Sequence, residues 1–308
     1  MYERVLRLLL QLIMVLSSSV VVNGHAMDQH RVQPLKRIFW MHIQKTSSWI
    51  GDLLLRWSCP GIDDGYGVNP EEKVFLADRV RYNLSSWKCD STIITSYDHY
   101  GHHIPYDPDI AKGAVITVFR KPIDRIISAF LFADGMHIPR GHPLGDLENE
   151  VRANLSKTTH PMISYANFLG IPHCQSKMVM GYHCGEDVRG FSKSELDIAY
   201  HRLHHEFAFV GLTEEPEATY NLFRSMFGEG HLLDKPHMLP PHRMNYRKNE
   251  QHNDWAQKHF EGNLRKHRWV DQPDEFVYST AKTLFYQRCK EHGVQTEYGG
   301  AGEHRSIS

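Results

Sequence analysis

The 308-residue chain carries 35 Lys and Arg against 36 Asp and Glu, a formal net charge of -1, with 41% hydrophobic and 23% charged residues. This balance excludes a disordered or collagen-like chain and a general nucleic-acid binder, whose phosphate contacts require a basic surface. The length accommodates one large α/β core of roughly 250 residues rather than two small domains.

The N-terminal segment sets the compartment. Arg4 and Arg7 precede an apolar run from Leu8 to Val22, broken only by Gln11 and Ser17 to Ser19, and residues 5–22 are the segment that would anchor the chain in a membrane. It is shorter than the roughly 20 residues that span a bilayer, and small residues near Gly24 and Ala26 suit a signal peptidase. Residues 1–26 therefore read as a signal peptide or as the uncleaved signal anchor of a type II Golgi membrane protein, and the remainder is lumenal or secreted. The sequons at Asn83 and Asn154 are then usable glycosylation sites. Five cysteines permit two disulfides, and the spacing suggests Cys174 with Cys184 and Cys59 with Cys89. Neither Cys-x-x-Cys nor His-Glu-x-x-His occurs, so a zinc site has no support and no metal is expected.

Past the leader, apolar runs alternate with amphipathic stretches as in a βαβ protein. Residues 37–43 read as a buried strand and 49–57 as a helix with Ile50, Leu53, Leu54 and Trp57 on one face. Strands follow at 92–95, 114–119 and 207–212. Pro122 opens a helix that runs on through 123–133, and 136–161 is a Gly-, Pro- and His-rich loop. A basic, Pro-broken loop at 236–248 reads either as a lid over an anion or as a solvated surface. Residues 274–292 form an amphipathic helix using Phe276, Val277, Thr280, Leu284 and Phe285, and 294–308 read as a disordered tail.

Two strand-to-helix junctions carry the chemistry. His42-Ile43-Gln44-Lys45-Thr46-Ser47-Ser48 places a Lys and three hydroxyls where helix N–H groups favour an anion. A Walker A loop would need Gly where Phe39 and Gln44 stand, which disfavours an ordinary nucleoside triphosphatase. Arg120-Lys121-Pro122-Ile123-Asp124-Arg125-Ile126-Ile127-Ser128-Ala129 is the second junction, with Arg120 at the strand's C-terminal end and Ser128 along the helix. A guanidinium fork suits a phosphate dianion there. The plain alternatives are a surface Lys45 with Thr46 as helix cap, and an Arg120 paired with Asp124.

Together these segments resemble the Golgi carbohydrate sulfotransferases, the family that includes the heparan sulfate 2-O- and 6-O-sulfotransferases. Lys45 and Thr46 match its first loop, with Gln44, Ser47 and Ser48 standing in place of a Pro and two Gly; Arg120, Pro122, Arg125, Ser128 and Ala129 match its second motif in register. The stretches 175–181 and 209–214 are also similar. The resemblance implies a P-loop-type three-layer α/β sandwich over residues 36–293, with a central parallel sheet flanked by helices. It implies a donor, 3′-phosphoadenosine 5′-phosphosulfate (PAPS), whose 5′-phosphosulfate is held by Lys45, Thr46, Ser47 and Ser48 and whose 3′-phosphate is held by Arg120 and Ser128. Lys45 and a base, His99, would be catalytic, with His102 and His103 as alternates for the base. The acceptor would be a glycan hydroxyl. A protein tyrosine as acceptor, or a catalytically silent glycan-binding homologue, are the rival readings.

Overall fold

The computed structural model describes residues 37–47, 49–59, 101–132, 157–188, 190–227 and 250–297. The leader, Ser48, Cys89, His99, both sequons, the expected strand at 92–95, the loop at 236–248 and most of the loop at 136–161 lie outside these residues. The chain divides into Met1–Arg31 and a main unit, Val32–Ser308. All of the described residues belong to the main unit.

Among the described residues the central element is a parallel sheet of four strands, β1 (Phe39–Met41), β2 (Gly101–His102), β3 (Val115–Phe119) and β4 (Phe207–Leu212), in the order β2-β1-β3-β4. Every residue of β1 and β3 is buried. This is the pattern of a parallel sheet covered on both faces, and it explains why these strands read as unbroken apolar runs. The helices between the strands are α1 (Trp49–Ser58), α2 (Pro108–Ala111), α3 (Pro122–Leu131), α4 (Pro161–Ala166), α5 (Cys174–Met180) and α6 (Lys193–His205). After β4 come α7 (Pro216–Phe227), α8 (Glu250–Lys266) and α9 (Gln272–Glu291). The fold is thus α/β, a parallel sheet with helices packed on it.

Two apolar clusters hold it together. The larger joins the strands to α1, α5, α7 and α9 through residues such as Trp40, Leu54, Phe119, Phe209, Phe223 and Phe285, all at 2% exposure or less. The smaller seats α3 on α4 and α8 through Ile126, Ile127, Tyr165 and Leu264. α1 approaches β1 so closely at Gly51 that a Cβ there would overlap the Trp40 ring, which is why this helix position tolerates the entropic cost of glycine. α9 buries Val277, Thr280, Leu284 and Phe285 as its spacing predicts, while Phe276 is half-buried. Past it, Val294 packs against the large cluster and the Glu297 amide donates to Glu215 Oε2 at 2.9 Å, so the chain stays attached to the domain beyond the expected boundary at 293.

Cys174 and Cys184 are joined as their spacing suggests. Cys59 is also disulfide-bonded, and Cys289 is a buried free thiol. Inside the Cys174–Cys184 loop the fully buried Lys177 donates from Nζ to the carbonyls of Gly170, Cys184 and Glu186, each at 2.8 Å. Burial pulls its pKa down to about 8. Three carbonyl acceptors satisfy all three ammonium protons, so this Lys serves the loop's structure.

Candidate functional site

The sheet order contains a reversal. From β1 the chain moves to one side for β2 and to the other for β3. Open α/β sheets bind ligands at the carboxyl ends of the strands where the order reverses. Lys45 leaves the sheet just after β1 and Arg120 leaves immediately after β3, so the two expected anion ligands emerge on either side of that reversal. They are in direct contact: Arg120 Nη1 donates to the Lys45 carbonyl oxygen at 3.2 Å.

Lys45 is half-buried, and its Nζ lies 3.9 Å from the centroid of the Phe132 ring. Among the described residues that amine has no carboxylate or carbonyl partner. Burial first, and the Arg120 charge second, lower its pKa to about 8. A cation so placed is under-compensated, and an arriving anion relieves both costs. Lys45 is therefore not a plain surface residue. Nor is Thr46 a helix cap: it is buried, and its hydroxyl donates to the Ile43 carbonyl at 2.7 Å, closing the loop on itself.

The loop backbone explains the departures at this motif. Lys45 has φ 68° and Ser47 φ 91°, a left-handed conformation that glycine adopts without cost and an L side chain does not. Ser47 thus holds the conformation of a glycine without being one. Its amide and hydroxyl make no hydrogen bond among the described residues, and neither does the hydroxyl of the half-buried Ser128 on α3.

Two neighbours fix the strand ends, and neither carries a role in the sequence motifs. Gln175 is fully buried at the start of α5, and its Oε1 accepts the Arg120 backbone N–H at 3.0 Å. Its own amide N–H donates to Asp274, which also accepts from the Ser176 amide and hydroxyl and lies 3.6 Å from Arg125 Nε. Arg125, matched by motif, is therefore buried beside Asp274. Thr213, one residue past β4, has a hydroxyl whose single proton is shared between the Thr46 carbonyl at 2.8 Å and the Phe119 carbonyl at 3.1 Å. Both fall in the stretches 175–181 and 209–214 that carry the resemblance, and Thr213 has the further signal of standing at the carboxyl end of a buried strand; neither stretch by itself singles out the residue.

On the far side, β2 pairs with β1 so that His102 is in register with Met41. His103 follows at the carboxyl edge. Its ring stacks on His42 at 4.7 Å, and its Nδ1 lies 3.0 Å from the His42 carbonyl oxygen. A carbonyl can only accept, so Nδ1 carries the proton and Nε2 is the basic nitrogen of the neutral ring.

Among the described residues no group of three or more His, Cys, Asp or Glu is arranged to hold a metal, and no helix is long and apolar enough to cross a membrane. Comparison of the chain with protein-family models, curated proteins and solved structures finds no match.

Proposed function

We propose that the chain is a PAPS-dependent sulfotransferase that moves a sulfuryl group to a glycan hydroxyl in the secretory pathway, on a P-loop-type three-layer sandwich. Its place would be the Golgi lumen, anchored through residues 5–22, or the exterior after secretion. The observation that carries this reading is the meeting of Lys45 and Arg120 at the reversal between β1 and β3. Among the described residues the amine has no carboxylate or carbonyl partner, the guanidinium meets the loop at the Lys45 carbonyl, and the hydroxyls of Ser47 in that loop and Ser128 on α3 make no hydrogen bond. That set suits two phosphate groups and needs no metal to balance their charge.

On this reading the acceptor oxygen attacks sulfur in line, the bond from sulfur to the 5′-phosphate oxygen breaks, and adenosine 3′,5′-bisphosphate departs. The Lys45 ammonium opposes the charge that grows on the leaving oxygen. Arg120 and Ser128 hold the 3′-phosphate, and Thr46, Ser47 and Ser48 line the 5′ side. A neutral imidazole, His99 with His103 as the alternate, takes the acceptor proton.

Incubation of the purified lumenal protein with sulfur-labelled PAPS and a panel of sulfated and unsulfated glycans tests the proposal. The expected result is label on a glycan with release of an equal amount of bisphosphate. Absence of transfer to any glycan, together with no binding of the bisphosphate, overturns it. Transfer to a tyrosine peptide instead would keep the donor and replace the acceptor.

A further inference from the structure

We propose that Thr213 is a positioning residue that aims the anion loop, acting through the Thr46 carbonyl. The inference rests on the reading of residues 45–47 as the donor's 5′ site. Among the described residues four hydrogen bonds hold residues 45–47. Two are internal, from the Thr46 amide and hydroxyl to the Ile43 carbonyl at 3.3 and 2.7 Å. A third runs from Arg120 Nη1 to the Lys45 carbonyl, but it depends on a guanidinium that must also serve a phosphate. The fourth is the Thr213 hydroxyl on the Thr46 carbonyl at 2.8 Å.

Thr213 belongs to the rigid frame. Its own amide donates to the Phe119 carbonyl at 2.9 Å, extending the pairing of β3 and β4 by one residue. The Phe119 carbonyl therefore keeps a donor without the hydroxyl, whereas the Thr46 carbonyl accepts from no other described group. A trans peptide is planar, so fixing the Thr46 carbonyl toward Thr213 fixes the Ser47 N–H in the opposite direction. That N–H has no acceptor among the described residues. The loop also holds Lys45 and Ser47 at positive φ, a conformation that persists only where surrounding contacts over-determine it. Among the described hydrogen bonds to residues 45–47, that of Thr213 comes from outside the loop and is not itself required by the ligand.

The test uses Thr213→Val, which keeps the shape and removes the hydroxyl, and Thr213→Ser, which keeps the hydroxyl. Amide hydrogen exchange of the free protein reads the loop without any ligand. Exchange of the Thr46 amide, which the bond to the Ile43 carbonyl protects, should quicken about fivefold in Thr213→Val, the weight of one hydrogen bond, with β3 and β4 unchanged and Thr213→Ser like the parent. Bisphosphate affinity should fall by a similar factor in Thr213→Val and recover in Thr213→Ser. Parent-like exchange in Thr213→Val overturns the proposal. So does quickening that extends equally through β3 and β4, which would mean that the hydroxyl merely holds the sheet, and so does unchanged affinity despite a loosened loop. Should the parent bind no bisphosphate, the donor reading fails while the exchange measurement still decides the role of Thr213. If Thr213→Val does not fold, Thr213→Ala is read by the same two measurements.

Discussion

The Arg120 guanidinium reaches across 75 positions of sequence to the carbonyl of Lys45, so the two residues proposed as anion ligands are mechanically joined without any anion. The fork is half-buried and its backbone amide is held by Gln175. Pre-organisation of this kind lowers the cost of ordering the ligands at the moment of binding.

Arg120→Ala should therefore weaken binding of adenosine 3′,5′-bisphosphate at least about tenfold, since a charge-assisted contact contributes about 1.5 to 3 kcal/mol. Arg120→Lys should recover only part, because an ammonium cannot reach a phosphate and the Lys45 carbonyl with one planar fork. Calorimetric titration reads both; parent-like affinity in Arg120→Ala removes the residue from the site.

The lowered pKa of Lys45, about 8, gives a pH signature. Bound phosphates favour the ammonium form, so the ligand raises this pKa and binding takes up a proton wherever the free amine is neutral. Affinity should be greatest below pH 8 and decline above it as the free protein loses that proton. Lys45→Ala should abolish both the decline and turnover while leaving the melting temperature close to the parent's. A parent whose affinity is flat from pH 7 to 9.5 would show that Lys45 does not face the anion.

Ser47→Gly is expected to stabilise the protein. The positive φ of Ser47 costs on the order of 1 to 3 kcal/mol for a residue with a side chain, while glycine's greater freedom in the unfolded chain returns about 0.5 to 1 kcal/mol of that. A net gain of about 1 kcal/mol should appear as a raised unfolding midpoint in urea. A lowered midpoint would mean that the Ser47 hydroxyl contributes more than the strain it accepts.

How much of this could be read from the chain depends on which residues carried a pattern. β3 and β4 were legible because their runs are apolar throughout, and α3 because Pro122 fixes its start; the expected strand at 37–43 shortens to β1 at both ends. Lys45 and Arg120 were legible because each follows such a strand. β2 was not, since Gly101 and His102 have no apolar signature and are a strand only by pairing with Trp40 and Met41. Lys177 and Asp274 are charged residues in helices whose spacing carries no sign of burial. They are buried because their partners lie in other elements, a fact of tertiary structure to which periodicity is blind.

Asp274 is the most consequential of these. Fully buried, it accepts three hydrogen bonds from Gln175 and Ser176 and faces the buried Arg125. Removing one member of such a group leaves an uncompensated charge, so Asp274→Ala should cost about 3 to 5 kcal/mol. Arg125→Met combined with Asp274→Asn should cost markedly less than Asp274→Ala, since the charge leaves with its partner. Chemical denaturation of both proteins decides this; equal losses would mean that packing rather than charge dominates.

The base is the last question, and the β1–β2 register gives it a direction. His99, the first expectation, lies outside the described residues, whereas His103 stands at the carboxyl edge beside His42 with Nδ1 turned to a carbonyl. That bond selects the tautomer in which Nε2 can accept a proton, the arrangement that a base needs. An imidazole base must be neutral and Lys45 must be charged, so kcat/KM should rise on the acid side as the base loses its proton and fall above about pH 8. In kcat the upper limb should move to higher pH because bound phosphates raise the Lys45 pKa. Removing the base should lower kcat by roughly two to four orders of magnitude and abolish the lower limb, with bisphosphate affinity unchanged, because the base faces the acceptor. His99→Ala and His103→Ala, each measured for kcat, pH profile and bisphosphate affinity, separate the two residues. The lost limb identifies the base. A lower limb that survives in both would place it elsewhere, and a limb that vanishes together with bisphosphate binding would show that the imidazole shapes the donor site rather than the proton transfer.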